Sequence, residues 1–377
     1  MDHKVFMPPS FPGKKENSPF GPSSKKEWVR VAKRELGIDH AIENLIQKID
    51  GIDFLPYYDQ SDLPASIDFQ LPLSQNEFVE PRSWFNMPKI LVNDTSAANH
   101  QALLALNSGA DGIVFELQAL PDAGTLLKKI ELAYCHTAFL ADIGHAEFFY
   151  DFCALVKTKK IDPSSLSCTI FWKEPSTVPV ELMECFNGWT QFHAMGIVAE
   201  NQASPSAEIA ALLAKAVKQI DNSTRHGIAL KEALDSIAFS VSIGTDFFLE
   251  IAKLKALRML WPNVAKAFES SSSPSIFIHA VSRAWENTTY EPHGNMLKST
   301  LSGLAAILGG CDALTIEVAD QNHPTTTRVA LNVSSILREE AHLGKVSDPT
   351  AGAYFLENLV DRLGQVAWKK FQALVKA

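Results

Sequence analysis

The chain has 377 residues, with 34 Lys and Arg against 43 Asp and Glu, and a net charge of −9. That acidic balance excludes the basic footprint of a nucleic-acid binder, and no uncharged apolar run reaches the roughly 18 residues of a membrane span. The five cysteines have no C-x-x-C spacing, which argues against a disulfide frame or zinc site and predicts reduced thiols in a cytoplasmic protein.

Residues 1–22 carry five prolines and few apolar anchors. They predict an extended arm, suited to wrapping a partner. Ser24 and Glu27 form an S-x-x-E capping box ahead of Trp28, Val31, Ala32 and Leu36, which share one helical face ending at Gly37. A second short helix is predicted over Ala41–Ile49. Residues 1–50 therefore read as arm and helices, 51–86 as an irregular connection, and 87–377 as the main domain.

From there short apolar runs alternate with helical patterns. The runs are Lys89–Asn93, Gly112–Leu117, Thr137–Asp142, Ser167–Trp172, Phe192–Ala199, Ser236–Ile243, Ser275–Val281 and Ala313–Val318, eight in all. Such runs suit strands buried on both faces of a parallel sheet. Helices are predicted over Asn295–Leu308 and Ala353–Val375. The fold class is α/β, a (β/α)8 TIM barrel with an N-terminal arm and short helical segment. An open doubly wound sheet is the competing architecture, and no G-x-G-x-x-G supports it. Phe115, Phe171, Phe239 and Phe277 are expected to fill the barrel interior and leave no axial channel.

Barrel chemistry sits at the C-terminal ends of the strands. The polar residues there are Asn93, Asp94, Glu116, Asp142, His145, Glu200, Asn201, His279, Ser282, Glu317 and Asp320. Glu116 and Asp142 are a candidate acid–base pair, or else helix caps and solvated groups. His193 and His279 lie in apolar strands, where a hydrogen-bonded core role competes with ligation. No H-E-x-x-H or other metal pattern occurs. No cysteine has an obvious cationic neighbour, so a thiolate nucleophile is unsupported. Arg328 and Arg338 have no carboxylate three or four residues away and read as solvated.

Residues 295–357 are more specific. They contain Ala306-Ile307-Leu308-Gly309-Gly310, Glu339-Glu340 and Asp348-Pro349-Thr350-Ala351-Gly352-Ala353-Tyr354-Phe355-Leu356-Glu357. This order resembles the barrel domain of methylmalonyl-CoA mutases, with A-x-x-G-G, E-E and D-P-x-G-G-S-Y-Y-x-E. The stretch from Asp246 to Lys253 with Arg258 and Trp261 is similar to that family's F-x-E-I-A-K…R-x-L-W. Glu27-Trp28, Gly51-Ile52 and Pro56-Tyr57-Tyr58 are similar to its front segment. The resemblance implies a TIM barrel and adenosylcobalamin-dependent rearrangement of an acyl-CoA.

Several departures bear on that activity. No D-x-H-x-x-G, the cobalamin signature of the family's flavodoxin-like domain, occurs in the sequence. Where the family has S-G-Y-H at the end of the fifth strand, this chain has Met195-Gly196-Ile197-Val198, so Ile197 and Val198 replace the Tyr and His. The tyrosine that shields the radical has no clear counterpart in Glu80-Pro81-Arg82-Ser83-Trp84-Phe85-Asn86-Met87. Lys298 stands where the family has Arg, and His279 lies near a lost strand-7 arginine; exchanging a bidentate arginine is not conservative. These losses resemble the family's small, non-catalytic subunits. The resemblance then implies a heterodimer with a homologous large catalytic subunit, which binds the adenosylcobalamin, or a homodimer in isolation. Two alternatives stay open. One is an active barrel using a separate cobalamin-binding protein. The other is a repurposed acyl-CoA-binding barrel with a mouth lined by His279, Glu317 and Asn93.

Overall fold

Alternation at period two gives each strand an inner and an outer face, and the sheet curls until both are covered. The computed structural model describes residues 24–37, 41–63, 81–174, 180–186, 188–189, 191–200, 202–268, 274–283, 294–318 and 324–376. The 1–22 arm, Asn201 and Asp320 lie outside the described residues.

Before the barrel come α1 (Lys25–Leu36), α2 (Ala41–Leu45) and a hairpin of β1 (Gln47–Ile49) and β2 (Ile52–Phe54). Ser24 caps α1 by accepting from the Glu27 amide, and Gly37, at φ 65°, ends it in the left-handed region. The expected helix over 41–49 stops at Leu45. Asp50 and Gly51 both have positive φ, 54° and 75°, and make the two-residue turn that D-G favours between strands. The Asp50 carboxylate then accepts from the Ser206 amide and hydroxyl, each at 2.8 Å, and from Lys370 at 2.9 Å. Burial raises its pKa, but these donors outweigh that and hold it below the ordinary value. The hairpin is thereby pinned to the barrel's helices.

Nine parallel strands follow: β3 (Phe85–Asn86), β4 (Lys89–Val92), β5 (Gly112–Leu117), β6 (His136–Ala141), β7 (Ser167–Trp172), β8 (Gln191–Val198), β9 (Ile237–Ile243), β10 (Phe277–Ser282) and β11 (Ala313–Thr315). The sheet runs in chain order from β4 to β11, and β11 then pairs with β3. Strands β3 and β4 are two halves of one barrel strand, interrupted at Met87-Pro88. Pro88 has no N–H to give the ladder, and its carbonyl accepts from Val114 while the Met87 amide reaches back to Leu314. Eight strands therefore close the barrel, as the alternating pattern predicts.

The helical layer holds α3 (Thr95–Asn107), α4 (Ala123–Leu126), α5 (Ala146–Thr158), α6 (Val180–Cys185), α7 (Pro205–Arg225), α8 (Leu230–Asp235), α9 (Phe247–Ala267), α10 (Gly294–Gly309), α11 (Pro324–Glu339) and α12 (Tyr354–Lys376). Two expected interior phenylalanines belong to this layer. Phe115 stacks on Phe139 at 5.9 Å, and Phe239 meets Trp261 at 5.4 Å. Each is one residue out of register with the inward-facing Val114 and Ala238, so the pleat turns it outward.

Helix α9 is buried nearly all round by α7, α10 and α12. Its charged groups are consequently paired inside the fold. Lys253 reaches Glu208 at 3.1 Å, Glu250 at 2.7 Å and the Ser242 carbonyl at 2.6 Å. Lys255 holds Asp348 with both oxygens, at 2.9 and 2.7 Å. Arg258 clamps the Gly310 and Ile276 carbonyls and Asp312. The resemblance motifs around Asp246–Trp261 and Asp348 are the parts of this girdle.

Arg338 corrects the sequence reading. It grips Asp111 with both nitrogens, at 3.2 and 2.8 Å, donates to the Trp84 carbonyl and lies 5.0 Å from the Trp84 ring centre. Its partner is far away in sequence, so local spacing does not reveal it.

Candidate functional site at the barrel mouth

At the C-terminal ends of the strands lies a cavity of about 470 Å³. Its upper wall carries a chain of charges. Lys89 on β4 pairs with Glu317 and, at 3.2 Å, with Glu116 at the end of β5. Lys173 joins Glu116 at 3.7 Å to Asp142 at 3.6 Å. Burial works against the Lys89 ammonium, yet Glu317 and Glu116 outweigh it and raise its pKa. Lys89 is therefore a neutralised cation and not an anion-binding one.

The floor is the Phe171 ring stacked on His279 at 5.2 Å. Thr315 Oγ1 donates to the Met87 carbonyl at 2.5 Å, so toward the ring it accepts. The partner at 2.8 Å, His279 Nε2, must then carry the proton. Nδ1 is left to accept from Ser240 Oγ at 3.1 Å. Burial, with repulsion from Lys89 second, drives the His279 pKa down to about 3. The ring is neutral with both nitrogens committed.

Beneath the floor four rings cross the barrel axis. Phe85 meets His136 at 4.9 Å, His136 stacks on Phe277 at 5.0 Å, and Phe277 stacks on His193 at 5.1 Å. They come from the first, third, seventh and fifth barrel strands, as one layer of a barrel interior should. His136 is 1% exposed and engages the Ser167 and Thr169 hydroxyls at 2.7 and 3.0 Å. Burial first, then His193 and His279, lower its pKa to about 3.

The predicted site residues separate on this geometry. His279, Glu317 and Val198 line the cavity. Glu116 and Asp142 stand on its rim, bridged by Lys173. Asn93 is exposed and outside the lining, and the next residue, Asp94, caps α3. Ile197 packs with the outer core, whereas Val198 packs with the interior cluster. A bulge explains the parity, because β8 advances three residues from His193 to Gly196 while β7 advances two from Thr169 to Phe171. Gly196 is required there, since a Cβ would sit 2.7 Å from the Phe171 ring. Sequence reasoning missed Lys89, Lys173, Ser240 and Thr315; inward parity at strand ends was the available signal.

His279 has no free nitrogen, and among the described residues no group of three His, Cys, Asp or Glu is placed to hold a metal.

Fold and site together define a closed β/α barrel whose polar groups gather at the C-terminal mouth. A family model described as methylmalonyl-CoA mutase matches residues 187–377, and the chain belongs to that family. A methylmalonyl-CoA mutase small subunit from Porphyromonas gingivalis is 28% identical, over 96% of this chain and 64% of that protein. A probable small subunit from Mycobacterium tuberculosis is 34% identical, over 48% of this chain and 30% of that protein. The chain thus matches less than two thirds of the length of these relatives. Among solved structures, a Plasmodium falciparum HPPK-DHPS covers 90% of this chain and 57% of its own at 11% identity, with a TM-score of 0.41, a likeness too slight to bear on function. Among the described residues, no helix is long and apolar enough to cross a membrane.

Proposed function

We propose that this chain is a catalytically degenerate subunit of an adenosylcobalamin-dependent methylmalonyl-CoA mutase, which interconverts methylmalonyl-CoA and succinyl-CoA. In this reading it stabilises a homologous large subunit, which binds the cofactor. The observation that carries the proposal is the row of rings under a hydrogen-bond-saturated floor. A pantetheine tail has no axial path through Phe85, His136, Phe277 and His193, and Val198 offers no hydrogen bond to a thioester. The small-subunit names of the relatives support the same assignment. The five free thiols suit the cytoplasm.

The test is a mutase assay with adenosylcobalamin and methylmalonyl-CoA, on this chain alone and mixed with a candidate large subunit. Activity only in the mixture, with a one-to-one complex on sizing, is expected. Turnover by this chain with a free cobalamin-domain protein would overturn the proposal.

Arg283, on the lining of the same cavity, favours a second reading, retention of an acidic acyl-CoA at the mouth. Calorimetric titration with methylmalonyl-CoA decides it, since heat at micromolar ligand is expected only if the mouth is still a binding site.

A further inference from the structure

Helices α5 and α6 bring two cysteines together on the outside of the barrel, away from the mouth. Cys153 on α5 is buried, and Cys185 at the end of α6 is half-buried; both are free thiols. Cys153 Sγ lies 3.0 Å from the Cys185 carbonyl oxygen, so its side chain already reaches its neighbour's backbone. The two side chains also approach closely enough for the Cys185 thiol to bear on the Cys153 pKa, as a disulfide, with its Cα separation of about 4.4–6.8 Å, requires. Lys157 stands one turn along α5 from Cys153, the cationic neighbour that sequence inspection overlooked. Burial raises the Cys153 pKa, Lys157 lowers it, and the nearby Cys185 thiol raises it again.

We propose that Cys153 and Cys185 are an oxidisable dithiol that closes to a reversible disulfide on meeting a hydroperoxide. The more exposed Cys185 reacts first. Its thiolate attacks the O–O bond, giving a sulfenic acid and, after protonation, an alcohol or water. The Cys153 thiol then attacks that sulfur. The S–S bond forms, the S–O bond breaks, and the hydroxyl leaves with the thiol proton as water. Two thiols are oxidised and one peroxide is reduced. The bridge ties α5 to α6 across β7.

The other thiols are worse placed. Cys168 and Cys311 are buried, and burial pushes Cys311 up to about 12. Cys135 is half-buried like Cys185, and each sulfur contacts the carbonyl four residues back, but the thiol near Cys135 is Cys168, whose burial holds its pKa well above the ordinary value.

The experiment treats the reduced full chain with stoichiometric hydrogen peroxide. Loss of two of the five thiols, a mass lower by about two hydrogens and a Cys153–Cys185 linked peptide, all reversed by dithiothreitol, are expected. In Cys153→Ser, dimedone should trap a sulfenic acid at Cys185. In Cys185→Ser, Cys153 should stay unmodified. A Cys135–Cys168 link, oxidation of Cys135 ahead of Cys185, or retention of all thiols would each overturn the proposal. The wild-type result needs no variant to fold.

Discussion

Two lysines in this barrel each stand between two glutamates, and they differ in almost everything else. Lys253 in the α9 girdle is 2% exposed, between Glu208 and Glu250 at 11% and 9%. Lys89 at the mouth is 18% exposed, between Glu116 and Glu317 at 14% and 20%. Lys253 also holds the Ser242 carbonyl, so it fixes where β9 ends. Among the described residues, Lys89 bonds only to side chains. Removing one partner of a buried ion group strands charge in a low dielectric, whereas water can rescue a partly exposed one. The girdle is therefore costly to alter and the mouth is comparatively free to change. The family match covers 187–377, which holds the girdle and, of the mouth, His279 and Glu317, while Lys89, Glu116 and Lys173 lie outside it.

The sharpest test replaces the buried lysine. Lys253→Met is expected to cost about 3–5 kcal/mol in urea unfolding, because two buried carboxylates lose their counter-ion. The deficit should shrink on acidification. Burial raises the Glu208 pKa above its ordinary 4.5, against the pull of Lys253. The folded chain therefore holds that proton longer than the unfolded one, and stability falls as pH rises from 4.5. A loss no larger than that at Lys89 would erase the contrast.

The floor of the mouth has the opposite pH sign. His279 titrates near 3 when folded against 6.5 in the open chain, so the unfolded state protonates first. Its contribution is complete above 6.5 and disappears as pH falls toward 3. Relative to wild type, His279→Asn should lose about 2 kcal/mol less stability between about pH 6.5 and 5. Equal acid slopes in the two proteins would mean that the ring is not buried as described.

Lys89→Met is the matched partner of the first substitution. It should cost only about 1 kcal/mol, and adding Glu317→Gln should recover part of that. Smallest of all is Lys231→Ala, which removes an exposed pair with Asp235. Its urea midpoint should be unchanged, and a clear shift would show that surface pairs carry more here than the comparison assigns them.

Much of the barrel was legible because its signals are local. Eight apolar runs and the Ser24 cap depend on neighbouring residues, and each became the element it suggested. The helix predicted over 41–49 forms only to Leu45, because apolar residues in so short a run do not separate period two from 3.6; Asp50-Gly51 is the better evidence for the hairpin that follows. The site was less legible. Glu116, Asp142, His279 and Glu317 were recognisable as strand-end polar groups, but what each does depends on partners dozens to hundreds of residues away.

The sequence alone determined the barrel, the family and the charge sign, since these follow from composition, periodicity and ordered motifs. Only the tertiary structure decided which side chains face inward, because one bulge in β8 moves Val198 into the cavity and Ile197 out of it. It also decided that Arg338 is a clamp and that His279 has no free nitrogen. Those are consequences of closure, which sets residues from opposite ends of the chain within hydrogen-bond distance.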